Sequence, residues 1–256
     1  LNRKDLMEFF EISVPQASAD LSRYQEHAPG NIVYDKKAKC YLATPEFSPQ
    51  FLKPDSSRYL AQLRSISVDI LAEQESWIPN LPNYDVLPLP RRDIDPKRLQ
   101  TVLRAIRKKK ALKIRYQSLS RPEPMLRWIT PHAIGFDGYR WHARAFCHID
   151  EMYKDFLFAR ILDIKEDKDH EIGPIADYDW HEKVEVCIGP NPGLKEDQQR
   201  VVATDYGMEG GELLIMVRRA FLFYFLKQLG LQNEGSIRSP EEQHIVLINQ
   251  NEIFPE

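Results

Sequence analysis

Residues 137–147 read Asp-Gly-Tyr-Arg-Trp-His-Ala-Arg-Ala-Phe-Cys (DGYRWHARAFC), the pattern of a strand leaving a tight turn. Asp-Gly favours a type I′ hairpin turn, and the side chains of a strand alternate between its two faces. One face then carries Tyr139, Trp141, Ala143, Ala145 and Cys147, which suits a core. The other carries Arg140, His142, Arg144 and Phe146. Groups two residues apart on a strand stand roughly 6–7 Å from one another, so these cations repel unless an anion lies among them. Guanidinium forks match phosphate bidentately, and a neutral imidazole adds a hydrogen bond or a stacking face. The pattern offers a phosphate-sized site. It also admits a structural use, with Arg140 or Arg144 paired to Asp155 or Asp163.

Working outward, residues 111–117, 126–136 and 154–162 are also strand-like, separated by turn signals at 120–123, 137–138 and 149–151. Together they predict a small antiparallel, barrel-like sheet. A helix opened by Pro96 precedes it, with Leu99, Val102, Leu103 and Ile106 inward. Its end, Arg107–Lys110 (RKKK), suits the negative pole of a helix dipole; phosphate contact is the alternative. Residues 77–96 hold five prolines and predict an extended connector. Residues 55–75 predict a helix with Tyr59, Leu63, Ile66 and Ile70 on one face. After the sheet, strands at 182–189, 211–218 and 243–248 alternate with helices at 195–203 and 220–229, a small α+β domain.

Residues 1–47 form a further unit. Asn2 can cap a helix to about Phe10 with Leu6, Phe9 and Phe10 inward, and Ser13 can cap a second with Pro15 in its first turn. Val14, Ala17, Leu21 and Tyr24 give the second helix a buried stripe, and a hairpin with a polar tip at Asp35–Lys37 follows. Helix, turn, helix, hairpin is the order of a winged helix-turn-helix. Its usual leading helix is expected upstream of Leu1. The fold class expected is therefore α+β multidomain: a winged helix-turn-helix at 1–47, a helical connector with a Pro-rich linker at 48–110, a barrel at 111–175 and an α+β domain at 176–256.

In the winged unit the second helix is the candidate recognition helix. Its outward Gln16, Ser18, Ser22 and Arg23 are residue types that read base edges in a major groove. Arg3 and Lys4 at a helix start, and Lys36, Lys37 and Lys39 in the wing, are candidates for phosphate. The unit carries 6 Lys/Arg against 7 Asp/Glu, unusual for a DNA-binding domain, so protein contact is the competing use.

Net charge over the 256 residues is −3, but it is unevenly placed. Residues 91–144 hold 15 Lys/Arg against 4 Asp/Glu, a net +11. That asymmetry points either to a polyanion or to a basic face neutralised by acidic neighbours in the fold. Cys40, Cys147 and Cys187 are far apart with no C-x-x-C, which suits buried thiols in a reducing cytoplasm rather than a zinc module. His142 and Cys147 fall on opposite strand faces, so no metal site is expected, nor any cofactor. Phosphate-loop, zincin and nucleophile-elbow motifs are missing, and no enzyme activity is expected. No apolar run approaches the ~18 residues of a membrane span.

With these segments in view, the chain resembles the WYL-domain transcriptional regulators. The matching residues are IRYQS (114–118), RWITPHAIGFDGYRWHARAF (127–146) and FLFARI (156–161), in the order winged helix-turn-helix, WYL barrel, C-terminal extension. The tripeptide that names the domain is here Trp141-His142-Ala143, which places His142 where the family has Tyr. DGYRWHARAFC with KDFLFARI downstream is similar to the BrxR-type and CapW repressors of bacterial anti-phage defence operons. The resemblance implies an Sm-like barrel and a cytoplasmic homodimer, held by its C-terminal domain and connector, that represses an operon from double-stranded operator DNA. It also implies that the barrel senses a phosphate-bearing effector, a nucleotide or oligonucleotide. It adds Tyr116 and Arg160 to Arg140, His142 and Arg144 as ligand candidates, with Ser118 and His132 beside them. The alternative is an RNA- or single-strand-binding module using the basic barrel.

Overall fold

The computed structural model describes residues 1–76, 78, 81–90, 92–169, 177–232 and 238–254. The chain forms two compact units, residues 1–90 and 91–256.

In the first unit, α1 (Arg3–Phe10) starts from a reciprocal cap in which Asn2 and Asp5 each bond the other's backbone N–H. α2 (Val14–His27) starts from Ser13 with Pro15 in its first turn. Ala17 and Leu21 of α2 are buried, and β1 (Ile32–Asp35) pairs antiparallel with β2 (Cys40–Ala43) to make the wing. The inward placing of Phe9 and Phe10 does not hold: they are 40% and 59% exposed, and their rings meet each other edge to face at 4.8 Å. Val14 is exposed as well. The α1–α2 pair is a single layer, so the flank of each helix turned from the other stays wet. α3 (Ser56–Ser67) is capped by Asp55 and buries Leu63 and Ile66. It stops short of the expected 75, because Asp69 takes a left-handed φ of 55°. Ile70 lies beyond that break and is exposed.

The second unit opens with α4 (Pro96–Lys108), whose Val102 and Ala105 are buried against a five-stranded antiparallel sheet. The strands are β3 (Lys110–Tyr116), β4 (Met125–Phe136), β5 (Trp141–Cys147), β6 (Met152–Leu157) and β7 (Ile161–Asp169), in the order β6-β5-β4-β3-β7. The single strand expected at 154–162 is two strands. A 3-10 turn at Phe158–Arg160 separates β6 from β7, which lie at opposite edges of the sheet. Leu157 and Ile161 are joined by at most about 14 Å of chain, whereas five flat strands would hold their edges about 19 Å apart. The sheet must curl. Tyr116, paired with Ile161 of β7, accepts a hydrogen bond from Leu157 N of β6 at 3.3 Å and so ties the edges together. Leu112, Ile114, Ile129, Ala143, Ala145, Phe156 and Ile161 fill the inside.

The rest is a smaller α+β layer pair. α5 (Tyr178–His181) leads into β8 (Lys183–Pro190), then α6 (Glu196–Tyr206), β9 (Leu213–Arg218), α7 (Arg219–Gln228), β10 (Ile245–Leu247) and α8 (Gln250–Ile253). The sheet order is β10-β8-β9. Val186, Ile188 and Val217 on one face pack with Val202, Leu222, Leu226 and Ile253 of the helices.

Candidate functional site

The DGYRWHARAFC segment is not a two-residue turn followed by one long strand. Phe136 pairs directly with Trp141, so residues 137–140 form the loop. Asp137 closes it by accepting backbone N–H bonds from Tyr139 and Arg140, and Gly138 takes the φ of +87° that the bend requires. Arg140 thus lies in the loop. From Trp141 the alternation holds: Ala143, Ala145 and Cys147 enter the barrel, and His142, Arg144 and Phe146 take the outer face. Trp141 is the exception. Placed past the last interior layer, it is 46% exposed and leans on the exposed Phe136 at 4.9 Å.

The outer face is neither open nor lacking anions. Arg144 Nε donates to Asp177 Oδ2 at 2.7 Å and Nη2 to Oδ1 at 2.9 Å, a bidentate pair. Its Nη1 lies 3.3 Å from Asp155, its register partner on β6, and Asp179 stands 3.6 Å away. Asp163 instead pairs with Lys165. His132, displaced by a bulge in β4, bonds Asp177 at 2.9 Å. His142 and Arg140 share Asp137 Oδ2 at 2.9 and 2.8 Å. Tyr224 of α7 covers the group: its ring lies 5.1 Å from the His142 ring and 5.7 Å from the Arg140 guanidinium, and its hydroxyl donates to Asp155 at 3.2 Å.

Electrostatics follow this geometry. Burial opposes ionisation of Asp177, but the Arg144 and His132 hydrogen bonds outweigh it and hold the carboxyl below its usual range. For Asp137, bonds from His142, Arg140 and two backbone N–H groups likewise overcome burial and lower the pKa to about 2. Burial and the Asp155 charge push the Tyr224 hydroxyl well up.

Of the seven ligand candidates, His132, Arg140, His142 and Arg144 share this carboxylate network. Tyr116 is on the other side of the sheet, inside the barrel against Phe156. Ser118 is exposed beside Ser120, and Arg160 sits in the 3-10 turn between β6 and β7. Sequence reading missed Asp177, whose separation of 33 residues from Arg144 leaves no local pattern. It also missed Arg127, whose alternation on β4 signals an inward residue: it is buried, with Nη1 near Cys147 and Asp150 and no hydrogen-bond partner for Nε among the described residues.

Part of the positive charge is matched by β7. Lys110 contacts Asp167 at 2.7 Å and Asp169 at 3.7 Å, and Lys113 contacts Glu166 at 3.0 Å. On α4 the exposed Arg107 and Lys108 sit in the last turn, as its dipole favours. Among the described residues no group of three or more His, Cys, Asp or Glu is placed to hold a metal ion, and no helix is long and apolar enough to cross a membrane.

In the winged unit, Arg3, Lys4, Ser18, Ser22 and Lys39 line one groove of about 760 Å³ between α1, α2 and the wing. Arg3 donates to Ser18 at 3.3 Å. Gln16 and Arg23 lie further round α2, where Asp20 accepts from Gln16 at 2.8 Å and stands 4.0 Å from Arg23. Lys36 and Lys37 are exposed at the wing tip, shaped by Asp35 accepting backbone N–H bonds from Lys37 and Ala38. Asp20 and Glu8, the latter 3.4 Å from Lys4, are acidic members of this surface that the sequence reading passed over.

Three family models match the chain. Residues 1–65 match the BrxR transcriptional regulator winged helix-turn-helix domain, 97–166 the WYL domain and 183–253 the BrxR transcriptional regulator C-terminal dimerization domain. Among curated proteins, the DNA-binding transcriptional repressor CapW of Stenotrophomonas maltophilia is 44% identical over 99% of this chain and 85% of its own length. The chain belongs to the CapW family of transcriptional repressors. CapW of Pseudomonas aeruginosa is 37% identical and CapW of Escherichia coli 35% identical, each over 99% of this chain and 85% of its own. These relatives are named as transcriptional repressors, not enzymes.

Proposed function

We propose that this protein is a cytoplasmic, homodimeric repressor of a phage-defence operon that binds double-stranded operator DNA and is released by a phosphate-bearing effector. The observation that carries the DNA-binding reading is the groove that gathers Arg3, Lys4, Ser18, Ser22 and Lys39 beside the outward arc of α2. Near-full-length similarity to the CapW repressors supports it. In this reading Gln16 and Arg23 read base edges, while Arg3, Lys4 and the wing lysines position the backbone. Residues 1–47 read the operator, 48–110 connect, 111–175 sense and 176–256 dimerise.

For the sensor, Asp177 occupies the position on Arg144 that an effector phosphate would take. The effector competes with Asp177 for the Arg144 fork, with Arg140, His142 and His132 alongside. Exposed Phe136 and Trp141 on the same hairpin suit stacking of a nucleobase. Displacing Asp177 frees the start of α5, which its side chain caps. That is a route from effector to C-terminal domain, provided the effector prefers the DNA-free state. The ion pairs between β3 and β7 reduce the support for the barrel as a single-strand-binding surface.

The test is selection of duplexes from a random-sequence pool by the full chain, followed by gel shift with enriched and scrambled duplexes. Preference for the enriched duplex, lost in Arg23→Ala with the fold intact, is expected. Equal affinity for scrambled duplex overturns the reading. Release of the enriched duplex by an oligonucleotide pool but not by inorganic phosphate assigns the effector class; release by neither removes the sensor part.

A further inference from the structure

Part of the basic tract is paired along β3 and β7, but the end of α4 is not. Thr101, Arg104 and Lys108 recur at helical spacing and so share one flank of that helix. With Lys110 of β3 and Asp167 of β7 they line a recess of about 280 Å³ over the buried Ala105 and Leu112. The lining sets three cations against one carboxylate, a net +2. Lys110 already holds that carboxylate at 2.7 Å. Arg104 and Lys108 are exposed, and neither lies within ion-pair distance of an acid among the described residues. Both are still close enough to act on Asp167. Its carboxyl is held below the usual range first by the Lys110 hydrogen bond and charge, with the charges of Arg104 and Lys108 adding to them.

The size of the recess selects what fits that excess charge. Pockets for drug-sized ligands run about 300–1,000 Å³ and are lined mainly by apolar and aromatic side chains. This one is smaller, and no aromatic ring lines it among the described residues. That suits a compact anion. Arg104 offers a fork that takes two oxygens of one phosphate, and Lys108 and Lys110 add point charges. Thr101 donates its hydroxyl hydrogen to Lys97 O at 2.8 Å, so it lines the recess without serving a ligand. The negative end of a helix disfavours an anion. Here Lys109 N–H bonds the Ala105 and Ile106 carbonyls, and the run Arg107–Lys110 sets four cations around that end.

We propose that this recess is a phosphate-binding site, in which a phosphate group displaces the Asp167 carboxylate from Lys110 and sits among Arg104, Lys108 and Lys110. It shares no residue with the Arg144–Asp177 network. The phosphate comes from a nucleic-acid backbone or from a free polyphosphate. The charge balance gives a backbone source a purpose. The winged unit carries 6 Lys/Arg against 7 Asp/Glu, so it supplies little of the electrostatic attraction on which DNA affinity rests.

The experiment uses the full chain with two probes: pyrophosphate by calorimetry, and the enriched duplex by gel shift over a series of salt concentrations. The variants are Arg104→Ala/Lys108→Ala, Asp167→Asn, and Lys113→Ala/Lys168→Ala as a charge-matched control outside the recess. Circular dichroism checks that each is folded. Arg104→Ala/Lys108→Ala is expected to weaken pyrophosphate binding roughly tenfold, to lower the slope of log K against log salt for the duplex by about one, or both, and the control to do neither. Loss with pyrophosphate alone assigns a free polyphosphate; a lower slope alone assigns a nucleic-acid backbone; both together show a site open to either. Asp167→Asn is expected to tighten whichever probe the double variant weakens, and no tightening overturns the displacement of Asp167. A double variant that changes neither probe, or a control that matches it on both, overturns the site. The duplex arm rests on the operator reading above, which wild-type binding of the enriched duplex tests first; the pyrophosphate arm does not depend on it.

Discussion

Arg144 and Asp177 are joined by two hydrogen bonds of 2.7 and 2.9 Å, although one lies on a barrel strand and the other caps the first helix of the C-terminal domain. The carboxylate also bonds His132 at the β4 bulge, so one side chain engages a barrel strand, neutralises a buried guanidinium and caps a helix. Arg144→Ala leaves Asp177 and Asp155 buried without their main counter-charge. The expected cost is about 3–5 kcal/mol, the penalty of breaking a buried pair. Arg144→Lys recovers only part, because an ammonium cannot span both oxygens. Urea unfolding of both single variants with Asp177→Asn and the double variants measures the coupling; additive effects would show that the pair contributes nothing jointly.

Asp137 gives a pH dependence with a definite sign. Its folded pKa of about 2 lies below that of an unfolded aspartate, so its contribution is complete above about pH 4 and is lost as pH falls toward 2. A shift of nearly two units corresponds to on the order of 2 kcal/mol. Asp177 is shifted in the same direction. Asp137→Asn is expected to be less stable near neutral pH and to show a shallower loss of stability between about pH 4 and pH 2. An unchanged slope in urea titrations across that window would remove Asp137 as a contributor.

How far these features were legible from sequence depends on their range. Alternation along β5 was readable because it is local, and it assigns Ala143, Ala145, His142 and Arg144 to the faces they occupy. It failed at Trp141 because burial at a strand end depends on where the barrel's last layer stops. The split of one apolar run into β6 and β7 was hidden: Phe156, Leu157, Phe158 and Ile161 are buried before, within and after the 3-10 turn, and a single Arg160 inside it is not a turn signal. The alternatives for Arg144 included Asp155, a register neighbour, but not Asp177, which no strand spacing predicts.

Gly135 measures how tightly α7 is pressed on the barrel. A Cβ there would stand 2.1 Å from Cζ of Phe221, so Gly135→Ala forces the ring or the helix to move. The expected cost is about 1–3 kcal/mol, the range for overpacking. Gly135→Ala with Phe221→Ala should be better tolerated than the sum of the two changes, since the second removes the clash. Thermal unfolding of the set checks this, and strict additivity would mean that α7 does not rest on Gly135.

The winged unit makes a prediction that separates reading from positioning. Arg23 is highly exposed and held only at 4.0 Å by Asp20, so it is free to take a guanine edge. Arg23→Ala is expected to cost about 1–3 kcal/mol on the preferred duplex and little on a scrambled one. Lys37→Ala, at the wing tip, is expected to weaken both duplexes alike and to reduce the slope of log K against log salt by about one. Asp20→Ala releases Gln16 and Arg23 from their shared carboxylate, so it should tighten scrambled duplex and narrow the preference. Gel shifts of the three variants at two salt concentrations distinguish these outcomes. An Arg23→Ala loss equal on both duplexes would place that side chain on phosphate rather than on a base.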